Sequence, residues 1–276
     1  MKNLFWLDVR NILNSIEYKV VVGIYGAFSL YAGVLCFQVY IGLPYQFLRS
    51  ADENFILQSA DTSFLLYVMR ILFPILSALL CAFQQTLDDS GNRSILAVQR
   101  CGRKRYLLSK AGAVSFMTFA GTTVPLLINF LLCHLVYPSI GYESVWAEAK
   151  YTIGKMSYSR ERFLDMLRLE HPSLYNLSYV AVAGLMAAGI ALLAFGLAMQ
   201  AKKKAHAMVR VPFLLFFFYM FLNTAFQMAG LWQAIPANYL IASHSGSIAC
   251  FAGMMALLLA AAAFLIRKGA CDYEIL

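Results

Sequence analysis

Residues 177–199 read LSYVAVAGLMAAGIALLAFGLAM, with no Asp, Glu, Lys or Arg among them. A helix needs about 20 apolar residues to cross the hydrocarbon core of a bilayer. This run is long enough, and in lipid its backbone can satisfy its own polar groups only as a helix. Five further runs meet the same test: 20–41, 64–83, 111–137, 211–231 and 247–266. Of those, only 64–83 carries a charge, the single residue Arg70. Continuous apolar runs exclude β-barrel strands, which read as short alternating stretches. The predicted fold class is an all-α membrane protein with six transmembrane helices, in one domain over 1–276.

Composition agrees. The chain has 276 residues, is 61% hydrophobic and only 13% charged, and has a mean hydropathy of +0.66. Soluble globular chains are about 45–50% apolar and about 25% charged. A soluble enzyme and a disordered chain are both excluded on that ground. The formal net charge is +8, and the placement of the cations points to a membrane surface rather than to nucleic acid. Fifteen Lys and Arg flank the runs on one side, counting the N-terminal stretch, the loops 84–110 and 200–210, and the C-terminal tail. Six lie on the other side. The richer side is predicted to be cytoplasmic, so both termini lie inside. Tyr40, Tyr45, Tyr137, Tyr175, Tyr179 and Trp232 then fall near the outer interface, as an aromatic belt. The first run is too long for a signal-peptide core and no A-x-A follows it, so it reads as an uncleaved anchor.

Residues 1–19 have helical spacing, with Phe5, Val9, Ile12, Leu13 and Ile16 on one face and Lys2, Asp8, Arg10, Asn11 and Asn14 elsewhere. This predicts an amphipathic helix in the inner interface; a solvated tail that sets topology is the alternative. The loop 84–110, QQTLDDSGNRSILAVQRCGRKRYLLSK, holds Asp88 and Asp89, then turn-forming Ser90, Gly91 and Asn92. Residues 93–100 can make about two helical turns, with Ile95, Leu96 and Val98 apolar, and Gly102 can end them. A short helix held between two spans can receive a push from a soluble partner; a basic anchor with no partner is the alternative. The loop 138–176 balances five basic against five acidic residues. Residues 159–170 can form a helix, with Phe163 and Leu167 at i,i+4 and Pro172 ending it.

Catalytic signatures are missing. No G-x-x-x-x-G-K-[ST], H-E-x-x-H or G-x-S-x-G occurs, and His134, His171, His206 and His244 lack metal-ligand spacing. Ser243-His244-Ser245 has no orienting acid nearby in sequence. The six cysteines form no C-x-x-C and read as small apolar fillers. No run contains Asp or Glu, which weighs against a proton-driven carrier. Arg70 reads either as a snorkelling or structurally paired residue or as a substrate or gate contact. Pro74 and Pro125 can bend their helices. Asn129, His134, Asn223 and Gln227 can bond between helices or face a cavity. Small residues four apart, Gly184 with Ala188 and Ala252, Ala256 and Ala260, allow close helix contact.

Taken in order, the acidic pair Asp88-Asp89, Gly91, the helix 93–100, Gly102-Arg103-Lys104-Arg105 and Tyr106-Leu107-Leu108-Ser109-Lys110 resemble the ABC-2 family of ABC-transporter permease subunits. The likeness covers nearly the whole chain. It departs in having Asp where Glu is usual, a longer loop after the third run and no re-entrant helices after the fifth. The resemblance implies half of an ATP-driven exporter in a plasma membrane, bacterial in origin, for a hydrophobic or amphipathic cargo such as a peptide, lipid-like molecule or drug. It implies a second permease subunit, alike or different, and an ABC ATPase subunit that binds ATP and Mg, with no cofactor or catalytic site in this chain. Asp88, Asp89, Arg93, Ile95, Leu96, Arg100 and Arg103 would couple to the ATPase, and Arg70, Asn129, Asn223 and Gln227 would line a translocation path. An ATP-independent interaction protein, such as an immunity or sensor component, is the alternative function.

Overall fold

The computed structural model describes residues 2–44, 48–90, 102–138, 158–200, 204–242 and 244–272. Among these residues it is all-helical, with a single isolated β-bridge, Arg162 to Ser245. The helices are α1 (Lys2–Asn14), α2 (Ile16–Tyr40), α3 (Ser63–Ser90), α4 (Arg103–Val136), α5 (Asp165–Glu170), α6 (Pro172–Gln200), α7 (Lys204–Met228) and α8 (Ile248–Asp272). Two short 3-10 helices, Trp232–Ala234 and Pro236–Leu240, join α7 to α8. Where the sequence predicts six long crossings, five helices among the described residues (α2, α4, α6, α7 and α8) have the length and hydropathy to span a membrane. The described apolar stretch of α3 is shorter, Ser63–Leu79, within a helix of 28 residues.

Local chemistry sets the boundaries. Ser15 is extended (φ −67, ψ 142), and its Oγ accepts from the Tyr18 backbone N–H at 3.3 Å, so it caps α2 and separates it from α1. Gly102 stands at the N-cap of α4 with φ +78, a backbone that L side chains rarely adopt. The predicted helix over 159–170 is shorter than expected. Only Asp165–Glu170 is helical, because Leu164 is left-handed (φ 55) and Arg162 pairs across to Ser245. Pro172 does not merely end that helix; it opens α6, where a missing N–H costs nothing.

The long α6 is the centre. It packs against α3, α4, α7 and α8, and it is the most buried of the five spans, whereas α8 is the least. Small residues make this contact close. A Cβ on Gly184 would collide with Thr123 and come within 2.7 Å of Phe119 on α4. One on Gly196 would lie 2.7 Å from Leu265 and 3.3 Å from the Ile266 backbone nitrogen on α8. By contrast Ala252, Ala256 and Ala260 of α8 are exposed and take no part in this packing. On the other flank, α2 lies along α4, with Tyr18 and Val22 against Gly121.

Side-chain contacts fix the direction of each helix. Tyr40, at the end of α2, meets Tyr137 just past α4 (ring centroids 5.8 Å) and donates to Asp61 Oδ2 at 3.4 Å just before α3. At the opposite end, Ser109 Oγ of α4 donates to Asp8 Oδ2 of α1 at 3.2 Å, and Gln200 Nε2 of α6 donates to Leu265 O of α8 at 3.2 Å. The α1 helix buries Val9 and Ile12 against α4, but it also buries Asp8, and it leaves Leu13 exposed, as is Ile16 beyond it. Its apolar face is thus rotated from the one its spacing predicts.

Candidate functional site

Two polar structures occupy the Tyr40 end of the bundle. The first is the segment between α2 and α3. Residues 50–52 and 54–57 are nearly all inaccessible, although none is helical. Buried irregular backbone needs hydrogen-bond partners from the surrounding protein, and here five parts of the chain supply them. Asn129, wholly buried on α4, donates from Nδ2 to Ser29 O of α2 at 2.7 Å and accepts from the Ile56 N–H at 3.0 Å. Cys36 and Cys133 both direct Sγ at Asn54 O, at 3.6 and 3.4 Å. Ala51 N–H donates to Pro138 O at 2.9 Å, and Ala242 N–H donates to Leu57 O at 2.9 Å. Asp52 is the hub: it accepts from Ser173 Oγ at 3.1 Å and Asn176 Nδ2 at 3.3 Å, and His134 Nε2 lies 3.5 Å from its Oδ1. Ser173 bonds to the carboxylate, so Asp52 knots the segment to α4 and α6. Sequence reasoning passed over Asp52, Ser173 and Asn176. The only signal was four polar residues among 50–54, too few to distinguish the segment from an ordinary solvated turn.

The second structure is a cavity of about 280 Å³ between α3 and α7, closed by the 3-10 helices and the loop before α8. Arg70 enters from α3, and Asn223 and Gln227 enter from one face of α7. Trp232, His244 and Ser245 complete the rim. Asn223 is fixed: its Nδ2 donates to Tyr219 O at 2.8 Å, and its Oδ1 accepts from the Ala237 N–H at 3.0 Å. Below the rim, Tyr239 donates to Gln233 O at 2.6 Å and accepts from the Ser247 N–H at 3.2 Å. Its ring packs edge-on against Phe163, which also meets Tyr179. Burial lowers the His244 pKa, and the charges of Arg70 and Arg162 lower it further, against the Ala242 carbonyl, which raises it.

Arg70, Asn223 and Gln227, three of the four expected path residues, therefore meet at one cavity. Asn129 does not; its amide is consumed in the knot. Of the expected coupling residues, Asp88 and Asp89 lie in the last turn of α3 and Arg103 in the first of α4. Arg93, Ile95, Leu96 and Arg100 lie outside the described residues, as do Gly91, Ser243 and most of the loop 138–157. Among the described residues no three His, Cys, Asp or Glu side chains are grouped to hold a metal ion.

No family model, curated protein or solved structure matches this chain significantly. The apolar helices indicate a membrane protein, and function has to be argued from the site itself.

Proposed function

We propose that this chain is the membrane-spanning subunit of an ATP-driven ABC-2-type exporter, with α3 as the second of six crossings and the Asp8 end in the cytoplasm. A hydrophobic or amphipathic cargo would pass between two such subunits. A separate ATPase would supply the movement through residues 88–103, with Ile95 and Leu96 seated in its groove and Asp88, Asp89, Arg93, Arg100 and Arg103 as polar contacts. One observation carries this reading: the seating of α1 on the first turns of α4, through Ser109 and Asp8. That contact joins the N-terminal helix to α4, the helix that begins where the proposed coupling segment ends. The same end carries Arg10, Lys104, Arg105, Arg267 and Lys268, as the positive-inside rule asks of a cytoplasmic face.

Co-expression with a P-loop ATPase encoded beside this chain tests the reading. The wild type should retain the ATPase through purification in detergent, and Ile95→Asp with Leu96→Asp should release it. An ATPase that never co-elutes, together with transport unaffected by the double substitution, would refute the coupling role.

A further inference from the structure

The cavity at Arg70 contains an unbalanced set of polar groups. Arg70 is a permanent cation on a helix flanked by apolar residues, and among the described residues no carboxylate lines the space around it. Among the described residues none lies within ion-pair reach of it either. A charge at such a position is costly unless something opposes it.

Its neighbours are donors more than acceptors. The Asn223 Oδ1 is already occupied by the Ala237 N–H, while its amide nitrogen donates to Tyr219 O and, together with Arg70, faces the buried Tyr219 hydroxyl. Asn238 likewise gives one amide proton to Trp232 O at 2.9 Å and keeps one. The Trp232 indole can only donate, and the Ser245 hydroxyl can turn to donate. His244 Nδ1 lies 3.3 Å from Ala242 O. A carbonyl only accepts, so in the neutral ring Nδ1 carries the proton and Nε2 is left as an acceptor. Gln227 is exposed at the mouth.

We propose that this cavity is a binding site for a phosphate oxyanion, with Arg70 as its counter-charge. A guanidinium matches phosphate oxygens two at a time. Donors converging from α3, α7, the 3-10 helices and the loop before α8 surround a tetrahedral group, whereas a carboxylate would be satisfied by the planar fork alone. Small-molecule sites usually measure about 300–1,000 Å³, so this space suits a headgroup-sized anion and not a whole amphiphile. The phosphate can be the phosphodiester of an anionic lipid or inorganic phosphate. The site requires only that α3 and α7 lie in a bilayer; it does not depend on an ATPase partner.

The test uses the full chain in dodecyl maltoside micelles, a host that carries no phosphate. One arm adds phosphatidylglycerol, and the other titrates inorganic phosphate at constant ionic strength. Tryptophan fluorescence reports binding, and Trp232→Phe identifies the signal from the rim. A saturable response is expected in at least one arm. A lipid-only response assigns the headgroup, and a phosphate-only response assigns the free anion. Arg70→Gln should weaken binding at least tenfold, with part restored by Arg70→Lys. Gln227→Leu, at the exposed mouth, should weaken it severalfold without changing the elution profile, which keeps the test decisive if Arg70→Gln does not fold. Absence of a saturable response in both arms, or wild-type binding by the folded variants, overturns the site.

Discussion

Asn129 Nδ2 donates to the Ser29 carbonyl across 2.7 Å, while the same side chain accepts from the Ile56 N–H. One amide thus ties α2 and α4 to the non-helical segment between α2 and α3. In lipid no water can replace either bond. Asn129→Leu should orphan the buried Ile56 N–H and cost about 1–3 kcal/mol. Thermal unfolding in detergent reads this directly, and an unchanged midpoint would show that the tie contributes nothing.

Gly196 faces α8 at a distance that admits no side chain. Its Cβ would press on the Leu265 Cβ and on α8 backbone atoms, the Ile266 nitrogen at 3.3 Å and the Ala262 carbonyl oxygen at 3.4 Å, none of which can swing aside. Gly196→Ala should therefore displace α8 and destabilise by about 1–3 kcal/mol. Gly253, on the same pair of helices but with nothing within 4 Å of its Cβ position, is the control. Gly253→Ala should be neutral or stabilising by about 0.5–1 kcal/mol, since Ala loses less entropy in a helix. Equal effects of the two substitutions would argue against close α6–α8 packing.

Asp8 is held above its ordinary pKa of 3.8 by burial, against the Lys110 charge and the Ser109 hydrogen bond, which lower it. The folded chain therefore holds that proton more tightly than the unfolded chain. The stabilisation is complete below the ordinary value and is lost as pH rises through the raised one. Asp8→Asn should flatten stability across that window and raise the melting midpoint above it. If the variant keeps the wild-type pH profile, Asp8 is not the group responsible.

His244 has the opposite sign. Burial is the main cause of its depressed pKa, with Arg70 and Arg162 adding to it. The folded loop therefore favours the neutral ring. Its stabilisation is present above the ordinary value of 6.5 and is lost as pH falls through the lowered one. Hydrogen-exchange protection factors at residues 239–247, corrected for the intrinsic pH dependence of amide exchange, should fall on acidification in the wild type and respond less in His244→Gln. Protection that is equally pH-dependent in both would assign the effect elsewhere.

The helical crossings were legible along the chain because apolar length is a local property. A run such as 177–199 needs no partner to declare itself; the helices enclose 177–199 and 64–83 and cover the other four runs but for one to three terminal residues, although the described apolar stretch of α3 reaches only Leu79. The candidate site was half legible. Arg70, Asn223 and Gln227 stood out as polar residues in apolar runs, where each needs an explanation. That they share a cavity with His244 and Ser245, and that Asn129 does not, could not be read from spacing, because α3, α7 and the loop before α8 meet there from distant parts of the chain.

Chain order and hydropathy alone determined an all-helical membrane protein, the approximate limits of its spans and the asymmetry of its flanking cations. Only the tertiary structure decided that α6 is central, that Asp8 is buried, that residues 50–57 form an interior knot and that a cation faces a donor-rich cavity. The division has a physical cause. Partition into lipid depends on the summed polarity of consecutive residues, whereas burial of a polar group depends on which distant atoms arrive to satisfy it.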